Sequence, residues 1–196
     1  MAMYWKLLDN HNSLVGQDDL VIVVGDVVSL SADDRLYWLE KVADFKGKKI
    51  LVRGNHDVGI TDGQFGKYFD KIVPDGDGIE IKLGGVKCWI THYPTRGKVN
   101  LFNVTAHIHA LWKVQKNAFN CGVDPNHFYP TPEIKIPFYL KAIESYYDED
   151  AWAYNHKSNK THENRGKKGS YFKEKVDFKE KVDCCKHWQI EEQNIS

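Results

Sequence analysis

Four short stretches of this chain set polar, metal-competent side chains directly at the end of apolar runs. Gly54-Asn55-His56-Asp57 follows Lys49 to Arg53, Gly25-Asp26 follows Leu20 to Val24, His92 follows Val86 to Thr91, and His107-Ile108-His109 follows Leu101 to Ala106. An apolar run that stops abruptly at polar residues puts them at a strand's carboxyl end, where open α/β sheets carry their active sites. Asn contributes a neutral oxygen, His a nitrogen that binds metal or moves a proton, and Asp a carboxylate that binds metal or orients a His.

If these strand ends meet at one edge of a sheet, Asp26, Asn55, His92, His107 and His109 become a ligand set of mixed carboxylate, amide and imidazole. Such a set suits manganese first, with iron, zinc or nickel as alternatives, whereas magnesium and calcium prefer oxygen cages. One or two divalent ions are therefore expected. Two ions roughly 3.5–4 Å apart can clamp a phosphate and activate a shared water, so no covalent protein nucleophile is needed. His56 lies between a ligand and Asp57. Its unperturbed pKa of about 6.5 suits donation of a proton to a leaving oxygen, with Asp57 expected to hold its other ring nitrogen. Tyr93 and Arg96 are candidate substrate contacts, Arg96 through a phosphate oxygen. Arg53 is read as a strand-end side chain.

The elements that must position these residues can be read from periodicity. Tyr4 to Leu14 is weakly helical, and Leu20 to Val24 is apolar enough for a strand buried on both faces. Ser31 is the expected cap of a helix over Ala32 to Phe45, and Gly47 ends it before the next strand. This β-α-β unit predicts neighbouring parallel strands. Beyond Asp57, short runs at Ile79 to Leu83, Val86 to Thr91, Leu101 to Ala106 and Trp112 to Val123 predict a second, mixed or antiparallel sheet. Glu133 to Tyr147 reads as a last helix that Pro137 interrupts near its start.

Composition limits the remaining possibilities. The 196 residues, 42% hydrophobic, can bury one substantial core. With 27 basic and 27 acidic residues there is no global field to draw in nucleic acid. No apolar run is long enough to cross a bilayer, so a cytoplasmic protein is expected, with its four cysteines reduced. From about Asn155 the chain turns polar, and FKEKVD occurs twice in tandem at Phe172 to Asp177 and Phe178 to Asp183. The division expected is a domain over 1–152 and a charged extension, helical or disordered, over 153–196.

In order and spelling, Gly25-Asp26, Gly54-Asn55-His56-Asp57, Thr91-His92-Tyr93-Pro94 and His107-Ile108-His109 match four of the five motif blocks of the calcineurin-like metallophosphoesterases. The chain resembles that family from about Tyr4 to Tyr147, and especially its small bacterial and phage-type members, in which an Asn-x-Gly-Val-Asp segment similar to Asn120–Asp124 recurs. The resemblance implies an α/β fold, a four-layer α/β/β/α sandwich with a two-metal centre. It implies that Asp26 bridges the ions, that Asn55, His92 and His107 complete one of them, that His109 belongs to the other and that His56 is the proton donor.

The family's first block, Asp-x-His behind an N-terminal strand, is where the chain departs. Asp9-Asn10-His11 has the spelling but lies in the helical pattern, and is read as polar helix residues. The sandwich is accordingly expected without its first strand, leaving a sheet edge through which a homodimer would form, unless the natural protein starts upstream. The function implied is metal-dependent hydrolysis of a phosphodiester or phosphomonoester, from a phosphorylated small molecule or nucleic-acid fragment. The alternative is a catalytically impaired relative that binds a nucleotide or protein partner.

Overall fold

Continuous apolar runs and short capped helices build a mixed α/β fold. The computed structural model describes residues 2–146. The expected boundary at 152/153, the charged extension, the FKEKVD repeat and the Cys184-Cys185 pair all lie outside the described residues.

Helix α1, Ala2–Leu14, leads into β1, Leu20–Val23. Helix α2 is shorter than the periodicity predicts, Arg35–Glu40, and continues as a 3₁₀ segment over Lys41–Asp44. Asp34 rather than Ser31 caps it, its carboxylate accepting the Tyr37 N–H at 2.9 Å. Ser31 is instead engaged with Ser29, whose hydroxyl accepts the Ser31 N–H. Strand β2, Lys48–Val52, pairs in parallel with β1, with Ile22 opposite Ile50, as the β-α-β reading requires. After α3, Asp62–Phe65, strand β3, Lys71–Val73, pairs in parallel on the other side of β2.

The second sheet has five strands in the order β4-β5-β6-β8-β7: Gly78–Leu83, Val86–Thr91, Phe102–Thr105, Ala118–Asn120 and Val114–Gln115. It is mixed: β4 is antiparallel to β5, β5 runs parallel to β6, and β6 runs parallel to β8. Helix α4, Ile136–Tyr146, carries Pro137 in its first turn, where the missing N–H costs nothing.

Strand registers explain the core. Ile79, Ile81, Cys88, Ile90, Phe102, Val104 and Phe119 fall on one face of the five-stranded sheet, because β4–β5 pairs Ile79 with Ile90 and β5–β6 pairs Ile90 with Val104. That face packs on Val24, Val52 and Val73 of the parallel sheet and on Ile136, Tyr139 and Leu140 of α4. The opposite face of the parallel sheet presents Val23, Leu51 and Ile72 to Trp38, Leu39 and Phe65 beneath α2 and α3. Each fully buried side chain such as Leu51 or Phe65 contributes roughly 1.5–3 kcal/mol. The parallel sheet with β1 and β2 lies between these two cores, β5 and β6 pack on the first of them, and the four motifs begin at the carboxyl ends of these four strands.

No helix among the described residues is long and apolar enough to cross a membrane. Cys88 and Cys121 are free thiols, and burial pushes them up to about 11 and about 12.

Candidate metal centre

Two loops are bolted to each other at the ends of β1 and β2. Asp57 is completely buried, and its carboxylate accepts three backbone N–H groups: Gly54 at 2.8 Å, Asp26 at 3.0 Å and Val27 at 2.9 Å. The Asp26 carboxylate in turn accepts the His56 N–H at 2.9 Å. The first turn therefore holds the second through Asp26, and the second holds the first through Asp57. Asp57 does not hold the His56 ring, as its position beside that residue suggests, because its oxygens are committed to the backbone. The His56 Nδ1 accepts the Leu30 N–H at 3.4 Å instead. An accepting Nδ1 leaves the proton of the neutral ring on Nε2, the tautomer of a donor.

Two guanidinium groups pin the rest of that turn. Arg35, from the start of α2, donates to the carbonyls of His56 and Val58, and Arg53 to those of Asp57 and Ile60 and to the Asp62 carboxylate. Arg53 is thus a structural strand-end residue. The role of Arg35 has no signature in the sequence, since its partners are backbone oxygens more than 20 positions away.

Space for the ligands comes from two glycines. A Cβ on Gly25 would lie 2.4 Å from the His92 ring, and one on Gly54 would lie 2.4 Å from Asp26 Oδ1 and 2.6 Å from His92 Cε1. Backbone strain gathers at the same place. Asp26, His107 and His109 all adopt left-handed φ values, 56°, 69° and 48°, which non-glycine residues rarely hold unless the surroundings enforce them.

The ligand atoms converge. His92 is buried and its Nδ1 lies 2.8 Å from the Val24 carbonyl oxygen. A carbonyl only accepts, so Nδ1 carries the proton and Nε2 presents its lone pair, the form that binds metal. That Nε2 lies 3.1 Å from Asn55 Oδ1, 3.3 Å from Asp26 Oδ2 and 3.2 Å from His107 Nδ1. His107 Nδ1 is also 2.9 Å from Asn55 Oδ1. Lone-pair atoms crowd here with few protons to share among them. Adjacent ligands of an ion bound at about 2.1 Å are themselves about 3 Å apart, so the spacing fits a divalent cation. Among the described residues, Asp26, His92 and His107 are the one group of three or more His, Cys, Asp or Glu side chains able to share an ion, their ligand atoms lying within 4.8 Å of one another.

Ionisation follows the same contacts. Burial pushes the Asp26 carboxyl up, but the His92 ring and the His56 N–H outweigh it and hold the group below its ordinary value. His92 is disfavoured as a cation by burial, yet Asp26 and the Val24 carbonyl raise it overall. His107 is lowered, by burial first and then by the charge of His92. Burial raises Asp57 despite its three N–H partners.

The other expected site residues fall into place differently. His109 stands outside the convergent group, its exposed ring 3.2 Å from the Asp124 carboxylate. Its loop is held by buried Asn120, whose Nδ2 donates to the carbonyls of His109 and Trp112. Tyr93 packs its ring beside His92 and His107 and donates its hydroxyl to Asp75. Arg96 is fixed through its backbone, its carbonyl accepting the Trp89 Nε1–H at 3.0 Å. Asp9-Asn10-His11 is in α1: Asn10 bonds the carbonyl of Phe128, and His11 bonds that of Lys46. The three lie in the helix, as their pattern predicts, and Asn10 and His11 dock it on the neighbouring segments.

The family model of the calcineurin-like phosphoesterases matches residues 2–121. The Gene 66 protein of Mycobacterium phage L5 is 41% identical over 46 residues, 24% of this chain. That match spans 22% of the phage protein's length. Among solved structures, a protein of unknown function from Aquifex aeolicus superposes with a TM-score of 0.54 at 21% identity, over 69% of this chain and 84% of its own. At that identity the likeness concerns the fold.

Proposed function

The chain belongs to the calcineurin-like phosphoesterase family, and from that premise we propose that it hydrolyses a phosphodiester or phosphomonoester, from a nucleotide or nucleic-acid fragment, with a metal-activated water. The observation that carries this reading is the meeting of Asn55 Oδ1, His92 Nε2, His107 Nδ1 and Asp26 Oδ2 at separations of 2.9–3.3 Å. A divalent ion in that group, manganese foremost, would supply Lewis acidity toward a phosphoryl oxygen and bring a water's pKa toward neutrality.

The chain's own residues do the rest. Asp26, Asn55, His92 and His107 hold their lone pairs in place before any substrate arrives, so no reorganisation is needed during reaction. With Nδ1 accepting the Leu30 N–H, His56 presents its Nε2–H as a hydrogen-bond donor that steadies the charge developing on a phosphoryl or departing oxygen. Asp57 keeps the two ligand-bearing turns in register. A cytoplasmic setting accords with the free thiols of Cys88 and Cys121.

Turnover of bis(p-nitrophenyl) phosphate and p-nitrophenyl phosphate by manganese-loaded protein tests the proposal. Activity lost on Asn55→Ala and on His92→Ala supports it. Failure of the unaltered protein to turn over either ester sinks it.

A second reading rests on His109, which pairs with Asp124 instead of joining the other ligands. A centre that keeps one ion would bind a phosphorylated ligand and hydrolyse it slowly or not at all. Elemental analysis separates the two readings, because two tightly held equivalents per chain would exclude the one-ion form.

A further inference from the structure

His92 and His107 do not reach the ligand group with equal support. The His92 ring is buried and anchored at its far nitrogen by the Val24 carbonyl. The His107 side chain is exposed, on a residue with left-handed φ. Among the described residues, the contacts recorded for its ring are with Asn55, His92 and Tyr93. The first two are fellow ligands, so they define the ion's position along with His107 and do not orient its ring independently. Tyr93 is the support from outside the ligand set.

The three rings form a closed edge-to-face triangle. Tyr93 lies 4.8 Å from His92 at 86° and 4.9 Å from His107 at 61°, and the two imidazoles are 5.0 Å apart at 71°. Edge-to-face packing at these separations is favourable and directional. Tyr93 is itself tied down, because its hydroxyl donates to Asp75 Oδ1 at 2.9 Å. Asp75 sits in the turn between β3 and β4 that the Asp77 N–H closes on the Pro74 carbonyl.

We propose that Tyr93 is a positioning residue of the metal centre: tethered to Asp75, its ring fixes the angle at which His107, and to a lesser degree His92, directs its nitrogen at the shared ion. This rests on the metal-centre reading above and gives Tyr93 a task distinct from substrate contact. Partners that orient a metal ligand typically account for about 10–100-fold in affinity. The tether predicts a further pattern: Tyr93→Phe keeps the ring but loses the hydroxyl, and Asp75→Ala loses the anchor, so the two should have equal and non-additive effects.

The experiment measures the Mn²⁺ dissociation constant of the full chain, from the electron paramagnetic resonance of free Mn²⁺, together with the visible spectrum of the Co²⁺ form. Circular dichroism checks that each variant folds. Tyr93→Leu should weaken Mn²⁺ binding about 10–100-fold and alter the Co²⁺ bands. Tyr93→Phe, Asp75→Ala and the double variant should share one smaller loss, which tests the idea even if Tyr93→Leu does not fold. A folded Tyr93→Leu with unchanged Mn²⁺ affinity overturns the proposal, as does a raised KM at unchanged affinity, the mark of a substrate contact. Additive losses in the double variant overturn the tether. Should the unaltered protein take up no Mn²⁺, the metal-centre reading itself falls and this proposal with it.

Discussion

Asp57 receives the backbone N–H of Asp26, 31 residues earlier in the chain, at 3.0 Å, and Asp26 returns the contact by receiving the N–H of His56 at 2.9 Å. This reciprocal clamp crosses from the end of β1 to the end of β2, so two parallel strands share one rigid ligand platform. Replacing Asp57 with Asn puts an amide NH₂ where an oxygen accepts a hydrogen bond, opposing backbone donors in a buried site. Hydrogen bonds to a charged group contribute about 1.5–3 kcal/mol each, so Asp57→Asn should cost about 3 kcal/mol of stability. Urea denaturation should report that loss, with a thermal midpoint roughly 10 °C lower. An unchanged midpoint would mean that the clamp is dispensable.

Gly54 isolates steric crowding from backbone strain. Its φ of −115° is open to any residue, so alanine there meets no conformational penalty. What it meets is Asp26 Oδ1 at 2.4 Å and His92 Cε1 at 2.6 Å. Gly54→Ala should therefore stay folded yet displace two ligands, lowering Mn²⁺ affinity by about 100-fold, the upper end for a disturbed ligand environment. Isothermal titration would read this, and wild-type affinity in the variant would refute the packing argument.

His109 and His107 are two residues apart but differ in surroundings, one beside Asp124 and one beside Asn55 and His92. His107→Ala should abolish high-affinity binding of the first manganese equivalent. His109→Ala should leave that equivalent within about threefold, because its ring lies outside the convergent group. Equal losses from both substitutions would show that the two histidines serve one ion.

The sequence revealed where the ligands begin but not what holds them. Apolar runs ending at Asp26, Asn55 and His92 mark strand ends because burial in the core leaves a local trace in residue type. β3 left too faint a trace, since Lys71–Val73 has three residues and only Val73 is fully buried. Asp57, Arg35 and Asn120 act on backbone N–H and carbonyl groups of distant residues, which carry no side-chain signature. For the same reason Asp57 was legible as part of a motif while its partners were not. His109 shows another limit: its spelling beside His107 marks both as ligand candidates, while the turn that sets one ring beside Asp124 and the other beside Asn55 and His92 has no pattern of its own in the sequence.

His11 offers a pH test remote from the metal centre. Its ring is buried against Phe45, and Nε2 lies 2.9 Å from the Lys46 carbonyl, joining α1 to the segment before β2. Burial lowers its pKa and Lys49 adds to this, outweighing the Lys46 carbonyl, so the folded protein holds a neutral imidazole where the unfolded chain titrates near 6.5. As pH falls below about 6.5, the unfolded state takes up the proton first and gains stability relative to the fold. The contribution of His11 is thus fully present above the unfolded value and is lost progressively down to the lowered folded value. His11→Gln retains a donor for Lys46 but cannot titrate. The thermal midpoint of the unaltered protein should fall more steeply between pH 7 and pH 5 than that of the variant, as calorimetry across that range would measure. Parallel curves would show that His11 carries no proton linkage to the docking of α1.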